Sequence, residues 1–479
     1  MSLSSFIRTG KNASMLLAGS MTRMVAGFVF VIYCADKLGL EGFGKYSIAI
    51  HYFELFLSLS STAVGILLTR DMSRWPRHTN QLVTSSIALV SVASILSIVV
   101  MSCLSTLFGY SDDTHQLLLI AGITLIPASI CAVFEAAFVA RERAEFFTSG
   151  IAIESLIRIA ASVWLLYNDF GLIWLLWIFL AVRCGLLTAY LIALKRMGGF
   201  QWQFHSKRTR RFLSRWRVFA AENWMATIYT NLDVIFLSWI SGEAVTGIYS
   251  AAGKIVRLGS VVAKSYTTAV FPVMSRLYLE SKDAFKKLYS HTIRIMFATA
   301  LPAITAVMFI PDRIVNLFFS TEYTEAAPVL QVLIWVLLLE FLNPFLSHCL
   351  FAQGRQHRSM RVAAISLVVN TIATYLLVSW FAAVGAAAGT IVGGGVATCC
   401  YLFFAMSKRE VILTFVLGIR VAIAALIMGI VVWTMRDAAW MILLPSCLAI
   451  YIPMLFLVGA VRMTDIRFFQ TLLMARASS

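Results

Sequence analysis

The sequence predicts an all-α polytopic membrane protein. About fourteen transmembrane helices are expected, in two six-helix bundles followed by two further helices, with both termini in the cytoplasm. Three observations predict this. First, 60% of the 479 residues are hydrophobic and only 13% are charged, against about 25% charged in a soluble chain. Second, apolar runs of about 20 residues, the length that crosses hydrocarbon as a helix, recur from end to end. Third, Lys and Arg collect in alternate loops. The runs are too long for barrel strands and lack polar alternation, so helices are the only spanning element that satisfies their backbones.

In chain order the spans are predicted at 13–35, 45–69, 83–108, 116–139, 147–167, 171–194, 218–240, 246–272, 291–311, 325–347, 360–380, 383–406, 412–434 and 439–461. The first follows SSFIRTGKN, which resembles a signal-peptide n-region. The run is longer than a signal core and no small-x-small site closes it, so a retained span is expected. The least marked boundaries are the split at Phe381 and Ala382 and the start of the tenth span near Pro328. The even-numbered loops and the two ends hold most of the bases, including Arg70, Arg74, Arg141, Arg143, the cluster from Lys195 to Arg217, Lys282, Lys286, Arg355 and Arg358. The odd loops hold Lys37, Lys45, Arg313 and Arg436. That asymmetry places the termini inside and makes the net charge of +16 largely a matter of topology. The basic stretch 195–217 is therefore a cytoplasmic linker, and no nucleic-acid partner is expected. The eight cysteines sit in or at the ends of apolar runs without a CxxC pair. They read as small buried hydrophobes, with no disulfide, metal or cofactor implied.

The linker divides the chain into an N-terminal bundle (1–194), the linker itself (195–217), a C-terminal bundle (218–406) and a two-helix tail segment (407–479). A repeat crosses it. GKYSIA begins at Gly44 and GIYSAA at Gly247, 203 residues later, each after a short external loop. Parallel repeats of this kind place a substrate site at their interface. Within the twelfth span Gly385, Gly389 and Gly393 recur every four residues, a spacing that lets helices approach closely. Pro127, Pro272, Pro302, Pro344, Pro445 and Pro453 are placed to kink helices.

Charges stand inside the hydrocarbon. Arg23 lies near the middle of the first span, where an Arg costs about 2.5–3.5 kcal/mol. It is about 12 Å from the nearer end, too deep to reach water comfortably. Arg183 is central in the sixth span. Lys254, Arg257 and Lys264 on the eighth fall at about 0°, 300° and 280° around the helix, one stripe. Arg420 lies in the thirteenth. The acids are Glu54, Glu135, Glu154, Glu222, Asp233 and Glu340. Glu154 and Arg158, four apart, are predicted to pair. Glu222 and Asp233 are expected on one face of the seventh span beside Ala226 and Tyr229. The bases are open to two readings: structural ion pairs between helices, or a cationic cavity whose guest is a large anion such as a pyrophosphate. No Walker A loop, HExxH, GxSxG or CxxC motif is present. The paired acids of YSDDTH lack nearby bases, so no enzyme is expected.

LGLEGFGKYSIAI resembles the element after the first span of polysaccharide flippases, the lipid-linked oligosaccharide exporters of the multidrug/oligosaccharidyl-lipid/polysaccharide superfamily. NLDVIFLSWISGEAVTGIYSAAGKI resembles their seventh-to-eighth-span element, with Asp233 and Tyr249 at the familiar places. FPVMSRLY, LFAQGRQHRSMR and VVNTIATYLLVSWFAAVGAAAGT resemble later elements in the same order. The resemblance implies carriage of an oligosaccharide unit on undecaprenyl pyrophosphate across the bacterial cytoplasmic membrane by alternating access through a central cavity. Surrounding lipid and the polysaccharide polymerase machinery are the implied partners. Mapped onto that cavity, Arg23, Lys254 and Arg257 contact the pyrophosphate, followed by Arg183 and Lys264. Asp233, Glu222 and Glu54 are coupling-ion sites (proton or sodium) or counter-ions. The alternatives are a drug/cation antiporter, a peptidoglycan-precursor flippase, and a membrane glycosyltransferase or polymerase.

Overall fold

The computed structural model describes residues 3–75, 78–196, 202–203, 216, 220–221 and 223–460, with side chains from residue 26 onward except that of Ala144. Among these residues every regular element is helical. Glu222 lies outside the described residues. Arg23 lies on a described helix, but its side chain is outside the description.

The helices are α1 (Leu3–Leu57), α2 (Ala63–Arg74), α3 (Thr79–Leu107), α4 (Asp112–Ala140), α5 (Ala144–Tyr167) and α6 (Leu172–Arg196), then α7 (Leu232–Ser241), α8 (Glu243–Glu280), α9 (Lys282–Phe309), α10 (Pro311–Phe318) and α11 (Ala326–Leu333). They end with α12 (Trp335–Ala352), α13 (Gln356–Ala405), α14 (Lys408–Thr434) and α15 (Trp440–Leu457). Ten helical stretches among the described residues are long and apolar enough to cross a membrane. Two of these are double length. The first is broken at Gly39 (φ 65°, ψ −177°). The second is broken at Ala382 (φ 47°, ψ −123°), the expected split between spans eleven and twelve. The external loop expected between the first two spans is thus a single non-helical residue. Six prolines expected as kinks lie inside α4, α8, α9, α12 and α15.

The seventh span departs from expectation. It is not one helix over 218–240. Residues 223–229 are helical, Thr230 and Asn231 turn, and α7 restarts at Leu232. The Asn231 amide donates to the Thr227 carbonyl at 2.9 Å, the local side-chain-to-backbone bond with which Asn competes against helix. Counting 100° per residue from Glu222 to Asp233 therefore does not hold across this turn.

Contacts divide the chain into two units, 1–250 and 251–479. In the first, α4 is buried on nearly every side, with Phe134 and Phe138 packed among Val64, Leu67 and Leu68. Leu117, Leu118 and Leu125 pack among Tyr52, Phe53 and Phe179. A helix apolar all round belongs inside a bundle. In the second unit, the two arms of α13 close on the predicted glycine row. A Cβ on Gly385 would lie 1.9 Å from the Leu377 carbonyl oxygen, one on Gly389 2.4 Å from Thr374 Oγ1, and one on Gly393 2.5 Å from Asn370 Cβ. Gly429 on α14 meets Phe309 on α9 the same way, at 2.5 Å.

Gly109 (φ 67°) and Asp169 (φ 55°) turn the chain between helices, and Gly242 (φ 83°) separates α7 from α8. Reporter fusions after Ala35, Gly109, Asp169 and Ser241 are expected to report the outside, given the Lys/Arg asymmetry. A cytoplasmic signal at any of the four would break the assigned order of spans.

Candidate functional site

The 203-residue repeat has a counterpart in backbone geometry. Gly39 (φ 65°, ψ −177°) and Gly242 (φ 83°, ψ −176°) are 203 apart and share an unusual conformation open to glycine. Each is followed at the same interval by a second glycine, Gly44 or Gly247. A Cβ on Gly44 would lie 1.8 Å from the Glu243 carbonyl oxygen, and a Cβ on Gly247 would lie 2.4 Å from the Leu40 carbonyl oxygen. Glu243 precedes Gly247 by four residues, as Leu40 precedes Gly44. The contact is reciprocal, as at a two-fold axis, and backbone meets backbone on both sides.

Polar side chains close over it. Lys45 Nζ lies 2.8 Å from Glu41, 3.4 Å from Asp113 and 3.9 Å from Glu243. Glu243 accepts from Ser111 Oγ at 2.7 Å and from the Thr114 hydroxyl. Ser111 is the N-cap of α4, with Asp112 and Asp113 in the first turn, where acids complement the helix dipole. These are the paired acids of YSDDTH, and the expectation that they lack nearby bases does not hold, because Lys45 reaches Asp113 from α1. Beside them, Tyr110 Oη bonds Ser238 at 2.6 Å and Tyr52 at 3.2 Å. Burial pushes the Tyr110 phenol upward, so it stays neutral.

Deeper in this unit, α1 gives way to a π-helical turn over Ser58–Thr62, a feature often found at functional positions. The Ser58 and Leu59 carbonyls accept from Asn223 Nδ2 at 3.3 Å and Trp224 Nε1 at 2.8 Å. Ser58 Oγ bonds Thr227 Oγ1 at 2.7 Å, and buried His51 bonds buried Asn231 at 3.2 Å. The start of the seventh span is thereby laced to the second. None of these residues carries a predicted role in the sequence; a polar SLSST run inside an apolar span was the available signal.

Asp233, in the first turn of α7, accepts from Tyr249 Oη at 2.5 Å and from the Val234 amide at 2.9 Å. At the equivalent positions, 203 earlier, Phe30 packs edge-on against Tyr46 with ring centroids 6.5 Å apart. The carboxylate thus takes the place of a phenyl ring in the same aromatic pair.

Glu154 is buried and Arg158 Nε lies 3.6 Å from it, the predicted pair. Arg183 Nε lies 3.7 Å from the same carboxylate oxygen. Both guanidinium groups stand over the Phe179 ring, at 5.3 and 5.6 Å. Arg183 is therefore held in an ion triad between α5 and α6. In the second unit, Lys254 is half-buried on α8, and Arg257 and Lys264 are exposed. Glu340 on α12 feels the Arg257 charge and the Ser260 hydroxyl. Glu54 is exposed on α1. Its equivalent 203 residues on is Arg257, so the two halves carry opposite charge at one position of the repeat. Likewise His51 corresponds to Lys254. No group of His, Cys, Asp and Glu among the described residues could hold a metal ion.

This fold, with long helices broken at Gly39 and Ala382 and charges set within them, is that of an all-helical polytopic membrane protein. A family model described as polysaccharide biosynthesis protein matches residues 9–278, and a MatE model matches 219–376. The chain belongs to the polysaccharide biosynthesis protein family. It is 25% identical over 181 residues to the capsular polysaccharide biosynthesis protein CapF of Staphylococcus aureus, covering 38% of this chain and 46% of that one. It is 20% identical over 401 residues to the probable flippase AglR of Haloferax volcanii, covering 80% of each. A solved structure of the lipid II flippase MurJ in an inward closed conformation superposes with a TM-score of 0.78 at 14% identity, over 96% of this chain and 99% of that one. The chain thus spans less than half of the first of these relatives.

Proposed function

We propose that the protein is a flippase that moves an oligosaccharide unit linked to undecaprenyl pyrophosphate across the cytoplasmic membrane by alternating access. One observation carries this reading. α8 is 38 residues long, yet it is not among the helices apolar enough to qualify as a span by composition, because it bears Lys254, Arg257 and Lys264. Intramembrane bases are costly and mark a path for charge. Bases at this density suit an anionic head group, not the cation of a drug antiporter. Family membership supports the substrate class.

In this reading Arg23, Lys254 and Arg257 bind the pyrophosphate, and Lys264 is a lesser contributor. Arg183, engaged by Glu154, contributes least. Asp233 is the coupling site, with Glu222 and Glu54 as counter-ions. The bundles 1–194 and 218–406 are the moving parts, joined by the linker 195–217. Polymerase machinery receives the unit outside.

Binding tests the reading directly. Undecaprenyl pyrophosphate is expected to bind the purified protein with an affinity that falls as salt rises, and a cationic dye is expected not to compete. Tight dye binding with no response to the pyrophosphate lipid would favour the antiporter. Asp233→Asn keeps the shape and the Tyr249 hydroxyl partner but removes the charge. It is expected to lose the dependence of transport on a proton or sodium gradient. Retention of that dependence in Asp233→Asn excludes Asp233 as the coupling site.

A further inference from the structure

A second basic site lies at the end of the second unit, away from the α8 stripe. A cavity of about 370 Å³ is lined by four bases, Lys282 and Lys286 from the start of α9, Arg355 from the α12–α13 turn and Arg358 from the start of α13, and by the α13–α14 junction. The Lys/Arg asymmetry places all three connections on the cytoplasmic side. Tyr278, on the cavity wall, is fourteen residues beyond Lys264 on α8, about 21 Å along the helix. The site is therefore distinct from the bases assigned to the transported head group.

The cavity is built rather than incidental. Arg355 Nη1 donates to the Phe404 carbonyl at 3.2 Å, and Gln353 Nε2 donates to the Ala405 carbonyl at 2.9 Å, fixing the floor. The Arg358 guanidinium stands 5.8 Å over the Phe404 ring. The single acid in the lining, Glu410, is engaged by the capping box of α14, where its Oε2 accepts from the Ser407 amide at 2.8 Å. Four cations and a helix N-terminus thus face one space, and their one carboxylate already serves the backbone. The charge calls for an anion.

The surroundings say which anion. Phe403, at the rim, is 80% exposed, and Ile412 and Phe415, one and two turns further along α14, are 63% and 60% exposed. Exposed apolar side chains thus stand at the rim of the basic cavity and along the membrane helix that starts at its wall. A soluble phosphate would use the cations alone, whereas a lipid would use both.

We propose that this cavity binds the headgroup of an anionic phospholipid of the cytoplasmic leaflet, with its acyl chains along the outer face of α14. The headgroup bridges the three cytoplasmic connections and holds the ends of α9, α12, α13 and α14 together.

The test is binding of phosphatidylglycerol to the full-length protein in mixed micelles with phosphatidylcholine, read by native mass spectrometry and by the shift in thermal unfolding. Wild type is expected to retain phosphatidylglycerol selectively and to unfold at a higher temperature with it. Lys286→Gln/Arg358→Gln is expected to weaken binding by about fivefold per lost cation. Lys287→Gln/Arg361→Gln, which removes two exposed bases outside the cavity, is expected to leave it unchanged. Arg358→Lys, which keeps the charge, is expected to retain most binding and guards against a poorly folded double variant. Equal losses in the two double variants, displacement of the lipid by inorganic phosphate alone, or loss of selectivity in Arg257→Ala would each overturn the proposal.

Discussion

Gly44→Ala and Gly247→Ala are each expected to reduce transport at least tenfold while leaving the protein inserted in the membrane. The added methyl at Gly44 would stand 1.8 Å from the Glu243 carbonyl oxygen, and at Gly247 2.4 Å from that of Leu40. Both obstacles are backbone, so no side chain can rotate out of the way. The helix ends must separate, and overpacking of this kind costs about 1–3 kcal/mol. Separation also pulls Glu243 from Lys45, Ser111 and Thr114. A carrier that alternates between states of similar energy is shifted about tenfold by each 1.4 kcal/mol placed on one of them. The two changes act on one contact, so the double variant is expected to lose less than the product of the singles. Gly27→Ala and Gly185→Ala, with nothing within 4 Å of the new Cβ, are expected to retain transport. Full activity in Gly44→Ala would show that the closed contact is not a state the cycle visits.

Arg23→Ala, Lys254→Ala and Arg257→Ala are expected to abolish transport with normal or improved membrane insertion. Removing an Arg from a span centre relieves about 2.5–3.5 kcal/mol of insertion cost, so lost activity in a well-inserted variant points to the substrate. Lysine keeps the charge but not the planar fork, so Arg23→Lys is expected to keep partial activity. A degraded Arg23→Ala would instead mark Arg23 as a structural partner of an acid such as Glu54 or Asp233. The measurement is complementation of a flippase-deficient strain with membrane protein level followed in parallel.

Much of the fold was legible because hydrocarbon imposes a length rule on every span. The split at Ala382 and the glycine row of the twelfth span were legible for the same reason, since each rests on local composition. The break at Thr230 and Asn231 was not, because the side chains of these two residues bond back to the preceding turn within an apolar run that looks continuous. The repeat was visible as four matching residues, but its reciprocal contact was not. Nothing in a linear pattern says that Gly44 meets Glu243 and Gly247 meets Leu40. Charge within the spans was legible as a list of residues and not as partnerships. Glu154 and Arg158 follow from helical spacing, whereas Arg183 joins them from another helix. The Asp233–Tyr249 bond links α7 to α8, and at the π turn Asn223 and Trp224 meet the Ser58 and Leu59 carbonyls from a distant part of the chain.

The most direct test of the account is translocation by the purified protein in proteoliposomes. A fluorescent oligosaccharide on undecaprenyl pyrophosphate is placed in one leaflet, and its protection from a membrane-impermeant quencher is followed over time. The account predicts rapid, protein-dependent redistribution between leaflets, abolished in Arg257→Ala and with no change in the glycan itself. Redistribution no faster than in protein-free vesicles, or transfer of sugar to the lipid in place of movement, would contradict it.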